Sequence, residues 1–269
     1  VYGVFGLKTH AKLALILRRE AKATGGHRLV PYAHLGTGNY PPRTARLYTD
    51  FGLMTADPDV CHDVNEVFMH ITSLAKAARM KRLLLAPFTM HRRVLGMIRR
   101  EARNAREGKP SRIVAKMNAL TEEGVIRALV QASQAGVEID LIVRSACALR
   151  PGVPGYSENV RVRSILGRFL EHHRVWYFEN DGAKDVWLSS ADWMGRNLFR
   201  RIEVAFPVLD PAAKKRVIEE GLKVHLADNR DAWLLDATGE WKRARPARNG
   251  RTHAAQDELL ARLAGPEGA

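Results

Sequence analysis

Two cysteines among 269 residues, Cys61 and Cys147, cannot build a disulfide framework, and they fit the reduced thiols of a cytoplasmic protein. No uncharged apolar run approaches the roughly 18 residues that cross a bilayer, and no stretch resembles a signal peptide, so no transmembrane segment is expected. Gly36 and Gly38 are not followed by Gly-Lys-Ser/Thr, which rules out a Walker A phosphate loop. Cys61, His62 and His70 lack a zinc spacing and fall on a predicted helix, where a structural role suits them better. Acidic residues are scarce as well, 29 against 43 lysines and arginines, for a formal charge of +14. That imbalance calls for a polyanionic partner, whether nucleic acid, nucleotide, polyphosphate or an acidic membrane surface, without choosing among them. The chain opens at Val1 without an initiator Met, directly upstream of a strand that reads as catalytic, and is taken as the C-terminal part of a longer protein.

What is present is organised around Thr9 to Asn39. After His10 and Lys12 comes the apolar run Leu13-Ala14-Leu15-Ile16-Leu17, of strand length, and residues two apart in a strand share a face. His10 and Lys12 therefore project together, an imidazole that can attack phosphorus beside a cation that can hold phosphoryl oxygens. The Gly36-Thr37-Gly38-Asn39 turn adds backbone amides and an Asn side chain. A single His-x-Lys spacing is weak evidence, but the chain repeats it. His172-His173-Arg174 leads into the strand Val175-Trp176-Tyr177-Phe178, and a second strand ends at Ser189-Ser190-Ala191-Asp192. The first copy spans 29 residues from His10 to Asn39 and the second 20 from His172 to Asp192, the difference fitting a longer hairpin around Thr24-Gly25-Gly26. A degenerate repeat of one chemical constellation implies two half-sites brought together across a pseudo-twofold.

Between the copies, Pro41-Pro42 breaks the pattern and Arg43 to Phe51 follows, with Tyr48 able to stack on a base and Asp50 able to reach a divalent ion; an amphipathic turn that packs Tyr48 and Phe51 is the alternative. A helix is predicted from Asp57-Pro58. The charged segment Lys76 to Arg82 marks a domain boundary, giving residues 1–82 as a first half, 83–240 as a second and 241–269 as a basic, solvated tail. Beyond the boundary strands and helices alternate: Leu83 to Ala86, a basic helix Arg92 to Glu107, Arg112 to Met117, a helix capped by Thr121, and Glu138 to Val143. This predicts α/β domains with mixed, largely parallel sheets flanked by helices. Arg144 sits at a strand's carboxyl edge, where a cation suits a phosphate. The arginines of the basic helix outnumber Glu101 and Glu107 and favour contact with an extended anion.

Paired His-x-Lys and His-x-Arg strands, each with its small-residue loop, resemble the two half-sites of the phospholipase D superfamily. The motifs Leu7-Lys8-Thr9-His10-Ala11-Lys12, Tyr32 to Asn39, Thr44 to Asp50, Leu170-Glu171-His172 and Ser189 to Met194 further resemble the phosphohistidine type of polyphosphate kinase, over nearly the whole chain to about Leu226. The resemblance implies reversible transfer of the terminal phosphate of ATP to inorganic polyphosphate, with His10 as the phosphorylated residue. His172 then corresponds to a second histidine that contacts ATP and acts as proton donor or stabiliser. Tyr48 and Arg144 match ATP-contacting positions, Lys12 and Arg174 supply cationic stabilisation, and Asn39 and Asp192 support the loops. Mg2+ is the implied cofactor, with Asp50 near it and its main ligands upstream of this chain. The implied whole protein is a homo-oligomer with ATP/ADP and polyphosphate as partners and no obligatory nucleic acid, in the cytoplasm, with peripheral membrane association left open. The chain alone is expected to fold but to have little activity. The rival enzyme is a phospholipase D-like phosphodiesterase or nuclease using the same histidine pair; a non-catalytic nucleic-acid binder rests on charge alone.

Overall fold

The apolar run after Lys12 becomes one arm of a long hairpin in the computed structural model, which describes residues 6–73 and 79–264. Lys8–Thr9 (β1) precedes Lys12–Ala21 (β2) and His27–Gly36 (β3), joined where Gly25 and Gly26 both take positive φ. Pro42–Ala45 (α1), Tyr48–Thr49 (β4), Gly52–Thr55 (β5) and Pro58–Ser73 (α2) follow. Strands β2, β3 and β5 form an antiparallel three-stranded sheet, and α2 presents Val60, Val64 and Val67 to it at helical spacing. The helix starts where Asp57 Oδ1 accepts the Val60 N–H at 2.9 Å, with Pro58 in the first turn.

The rest of the chain builds the larger sheet. Its elements are Leu84–Ala86 (β6), Met90–Arg106 (α3), Arg112–Met117 (β7), Glu123–Gln134 (α4), Glu138–Val143 (β8), Val160–Ile165 (β9), Leu170–Glu171 (β10), Arg174–Phe178 (β11), Asp185–Ser189 (β12), Gly195–Phe199 (α5) and Arg201–Pro207 (β13). Then come Pro211–Ile218 (α6), a π-helical turn Glu219–Lys223, Val224–Ala227 (α7), Ala232–Leu235 (β14), Trp241–Arg243 (β15) and Ala255–Leu263 (α8). The strand order is β1-β13-β12-β11-β7-β8-β9-β14-β15, with β6 also on β13. All five residues of β11 are buried, Trp176 and Phe178 toward α3 and α4, Val175 and Tyr177 toward the opposite core with Val204, Phe206 and Leu222.

The mixed α/β architecture expected from the alternation holds. Within the large sheet, however, parallel pairing is confined to β7-β8-β9 and β1-β13. The expectation of largely parallel sheets is corrected by β11 and β12, which meet through a short turn with Asn180, Asp181 and Gly182 at positive φ; so short a connection joins only antiparallel neighbours. The α4 cap is Glu122, whose carboxylate accepts the Gly124 and Val125 N–H groups, rather than Thr121. The stretch from residue 241, expected as a solvated tail, contributes β15 and α8, and Gln256 of α8 is buried against Phe169 and Glu171. Residues 74–78 of the expected boundary segment lie outside the described residues. Among the described residues no helix is long and apolar enough to cross a membrane.

The repeat reappears as topology. Strands β2-β3-β5 and β11-β12-β13 are two copies of one antiparallel meander, with Lys12 opposite Gly36 and Gly36 opposite Gly52 in the first, and Arg174 opposite Ser189 and Ser189 opposite Ala205 in the second. The halves are tied by the parallel β4-β10 pair and by Asp63 of α2, whose buried carboxylate accepts the backbone N–H groups of Lys81, Arg82 and Leu83 at 3.0, 2.6 and 2.8 Å. Removing that carboxylate strands the buried Leu83 donor and two part-buried ones, at about 1–3 kcal/mol for a fully buried group. Asp63→Ala is therefore expected to lower the unfolding free energy in urea by about 3 kcal/mol or more; a loss below about 1 kcal/mol would contradict this role.

Candidate active site

Each half places its histidine two residues ahead of its cation, and the same contacts recur on both sides. Lys12 Nζ donates to His10 Nε2 at 2.9 Å and to the His10 carbonyl at 2.6 Å. Arg174 Nη1 donates to His172 Nε2 at 3.0 Å and to the His172 carbonyl at 2.7 Å. Ammonium and guanidinium groups only donate, so both Nε2 atoms are acceptors and the ring proton stands on Nδ1 in each histidine. Those protons go to carboxylates: His10 Nδ1–H to Glu203 Oε2 at 2.8 Å, and His172 Nδ1–H to Asp50 Oδ1 at 2.8 Å.

The carboxylates are exchanged. Glu203 belongs to the second meander yet orients the first histidine, and Asp50 belongs to the first yet orients the second. Each acid also accepts a hydroxyl from its own half's loop, Asp50 from Thr37 at 2.8 Å and Glu203 from Ser190 at 2.5 Å. Thr37 and Ser190 are themselves fixed alike, Thr37 N–H to the Phe51 carbonyl and Ser190 N–H to the Val204 carbonyl, both at 3.0 Å. The half-sites touch where Arg174 Nη1 reaches the Thr37 carbonyl at 3.5 Å.

Symmetry fails at two points. Asp192 is buried and clamps Arg174 with both oxygens at 3.2 Å, and also accepts the Asn118 N–H at 2.7 Å. Its counterpart Asn39 is exposed and stands at the rim of an 890 Å³ cleft with His10, Lys12, Tyr40 and Arg201. His10 opens into that cleft with 21% of its side chain exposed, whereas His172 retains 9%. Burial, opposed by Glu203 and reinforced by the charges of Arg174 and Arg201, pulls the Lys12 ammonium down to about 8. Burial also pushes His172 below the usual imidazole range, the Asp50 bond opposing and the Arg174 and Arg144 charges adding to it, so this ring is neutral at pH 7.

Tyr48 lies against the His172 ring, centroids 5.1 Å apart, and lines a 390 Å³ apolar hollow with Phe51, Phe169 and Leu260. Arg144 donates to the Glu171 carbonyl at 2.8 Å and to Asn118 Oδ1 at 2.6 Å, bracing the segment that carries His172. Behind it lies a buried polar network. Glu171 accepts Lys116 Nζ at 2.5 Å, Thr49 Oγ1 at 3.1 Å, His225 Nε2 at 3.0 Å and Gln256 Nε2 at 2.7 Å, while the His172 N–H donates to Thr49 Oγ1 at 3.1 Å. Against the cost of burial, the charge of Lys116 and the His225 bond hold the Glu171 carboxyl well below the usual carboxylate range.

Among the described residues Asp50 joins no group of three or more acid or histidine side chains that could hold a divalent ion. Asp50, expected near Mg2+, spends both oxygens on His172 Nδ1 and one also on Thr37. Among the described residues, the one histidine and acid cluster close enough to ligate an ion is Glu171, His173 and His225, which is sealed in the core and already neutralised by Lys116. The described residues thus form no complete ligand set around Asp50, which acts here as an imidazole-orienting acid.

Of the residues singled out from sequence, His10, Lys12, His172, Arg174, Asp50, Asp192, Tyr48 and Arg144 lie in this assembly, and Asn39 stands apart at its rim. Glu203, Arg201 and Asn118 were missed. Glu203 was findable, because an acid follows the last loop residue by 11 positions in both copies, Asn39 to Asp50 and Asp192 to Glu203.

Family models match the chain in two parts: "Polyphosphate kinase C-terminal domain 1" over residues 1–77 and "Polyphosphate kinase C-terminal domain 2" over residues 83–256, well past Leu226 into the stretch expected to be unmatched. A curated polyphosphate kinase of Burkholderia ambifaria is 58% identical over 263 residues, covering 98% of this chain and 38% of that protein. The crystal structure of polyphosphate kinase from Porphyromonas gingivalis superposes with a TM-score of 0.91 at 42% identity, covering 99% of this chain and 40% of the other. Phosphatidylserine synthase of Haemophilus influenzae, 10% identical with a TM-score of 0.50 over 90% of this chain and 68% of its own, shares the fold alone.

The exchanged acids can be tested without turnover. A Cβ on Gly38 would stand 1.8 Å from Asp50 Oδ2, so glycine there keeps room for the carboxylate that faces His172. In imidazole 15N spectra the parent chain is expected to show His172 as the Nδ1–H tautomer. Gly38→Ala should shift it toward a tautomer mixture while leaving His10, held by Glu203, unchanged. Equal spectra at His172 would dismiss the Asp50 assignment.

Proposed function

The chain belongs to the polyphosphate kinase family, and from that premise we propose that it carries the catalytic histidines for reversible transfer of the terminal phosphate of ATP to inorganic polyphosphate, through a phosphohistidine on His10. The chain spans 38% of the curated relative's length, and the missing length is where we expect the remaining substrate contacts. The observation that carries the choice of His10 is the broken symmetry. Its ring lines the wide cleft with Arg201, and among the described residues its lysine makes no ion pair with an acid, whereas His172 is buried against a clamped arginine.

In this reading Lys12 caps the His10 lone pair in the resting chain and moves onto the phosphoryl oxygens when substrate enters. The Nε2 lone pair forms the N–P bond as the bond from phosphorus to the bridging oxygen breaks, and ADP leaves with that electron pair. Glu203 holds the Nδ1 proton throughout, stabilising the positive ring without taking the proton. In the second half-reaction a terminal oxygen of polyphosphate attacks the same phosphorus and the N–P electrons return to Nε2. Neutral His172 offers no proton in the resting chain, which favours the stabilising role over the proton-donor role. Tyr48 and Arg144 are proposed to meet the nucleotide, and Mg2+ is proposed to be held outside the carboxylates described above. The two family domains are proposed as the functional halves, 1–82 and 83 onward.

Incubation with γ-labelled ATP is expected to place acid-labile, alkali-stable label on the protein, lost in His10→Ala. Steady turnover is expected in a polypeptide of the relatives' full length and to be much slower in the 269-residue chain. No label on His10 in either would overturn the proposal, and label derived only from a diester would favour the phosphodiesterase reading. A second test uses pH. Lys12 is charged below about 8 and neutral above it, so calorimetric affinity for tripolyphosphate should fall as pH rises through that value. Lys12→Arg, charged throughout, should flatten the fall; a parent profile flat to pH 10 would remove Lys12 from the phosphate site.

A further inference from the structure

The basic helix α3 breaks three local rules at once. Arg92, Gly96, Arg99, Arg103 and Arg106 are all exposed, and at 100° per residue they fall within about 80° of arc, a stripe roughly 21 Å long. Among the described residues none of its four arginines makes an ion pair, although Arg100 on the neighbouring flank pairs with both Glu101 and Asp185. Secondly, Arg92 and Arg93 stand in the first turn, where the helix dipole disfavours cations, with no acidic residue of that turn and no side-chain cap; the carboxylate that reaches the turn, Glu122 at the α4 cap, is taken by His91 at 3.1 Å. Thirdly, Gly96 interrupts the stripe in mid-helix, where glycine is unfavourable, yet a Cβ there would meet nothing within 4 Å. Packing therefore does not explain the glycine. A notch between like charges does, because it lets a phosphate chain approach the helix surface.

The stripe also leads to the cleft. His91 at its start packs on Phe199 of α5, ring centroids 4.7 Å apart, and Arg200 and Arg201 follow directly, Arg201 lining the cleft that holds His10. No aromatic ring stands between the arginines of the stripe, so along it there is no stacking platform for successive bases; the exposed Phe199 stands only at its start. We propose that Arg92, Arg99, Arg103 and Arg106, with the Gly96 notch, form a docking track for inorganic polyphosphate whose chain end lies in the His10 cleft. This rests on the proposed function and adds to it a second contact surface outside the reacting centre.

The test is binding of labelled polyphosphate of about a hundred phosphates to the 269-residue chain, titrated across salt concentration. The quadruple variant Arg92→Gln, Arg99→Gln, Arg103→Gln, Arg106→Gln keeps good helix formers. It should bind at least about tenfold more weakly at 0.1 M salt and lower the log–log salt slope by roughly 2–3, while tripolyphosphate affinity stays unchanged. Gly96→Leu, which alters no charge, should also weaken long-chain binding several-fold without lowering the melting temperature. Removing Arg245, Arg248 and Arg251 instead should change affinity less than twofold. Equal losses from that control, an unaffected quadruple variant, or equal competition by single-stranded RNA would each overturn the track. If His10 still takes label from ATP in those cases, the proposed function survives; absence of both label and polyphosphate binding would sink the function as well.

Discussion

The rest of the site depends on one interaction, the hydrogen bond from an imidazole Nδ1 to a carboxylate rooted in the opposite half. Glu203 fixes His10 and Asp50 fixes His172, so each ring, met at Nε2 by its own half's cation, gains its second anchor only when both meanders have folded and met. The joint between the halves accordingly combines main-chain pairing and buried charge with one apolar core, in which Leu35, Val60 and Val64 of the first half pack with Val175, Ile202 and Val204 of the second. Strands β4 and β10 pair across it, Asp63 gathers three backbone donors beyond α2, and β1 adds itself to the large sheet beside β13. A displacement of an ångström at that joint would remove two hydrogen bonds whose geometry both halves need.

The Glu171 network works behind the same joint. Lys116 from β7, Thr49 from β4, His225 beyond the π turn and Gln256 from α8 all converge on one carboxylate adjacent to His172. The π turn matters here, since it turns Gly221 toward His173 and passes close to Phe51, where a Cβ would come within 2.9 Å of the ring. A buried ion pair of this kind contributes little net stability, but losing one partner leaves the other uncompensated in the core. Its effect is to make the position of His172 answerable to four separate elements.

Much of this was legible in the chain. The two His-x-cation strands, their loops, the hairpin turn and the α/β alternation stand out because each is local: periodicity, spacing and turn residues are carried by consecutive positions. What was not legible is what long-range pairing decides. Asp50 looked like a metal contact because an acid near arginines and a tyrosine suits that role, and only the crossing of the halves puts it on His172. Glu203 sits in an apolar strand with no local signal beyond its spacing. The end of the chain looked solvated from its charge, yet the apolar positions around Ala255 and the amide of Gln256 return it to the core.

The unequal fates of Lys12 and Arg174 reach further than the contacts suggest. The Arg174 guanidinium is gripped by Asp192, while the buried Lys12 ammonium is held, among the described residues, by His10 alone and shares its cleft with an exposed, neutral Asn39. Under the proposed function, two equivalent half-sites would compete for one phosphorus atom. An exposed amide where its twin has a buried acid, and a lysine where its twin has an arginine, set the His10 side apart as the one we propose to react.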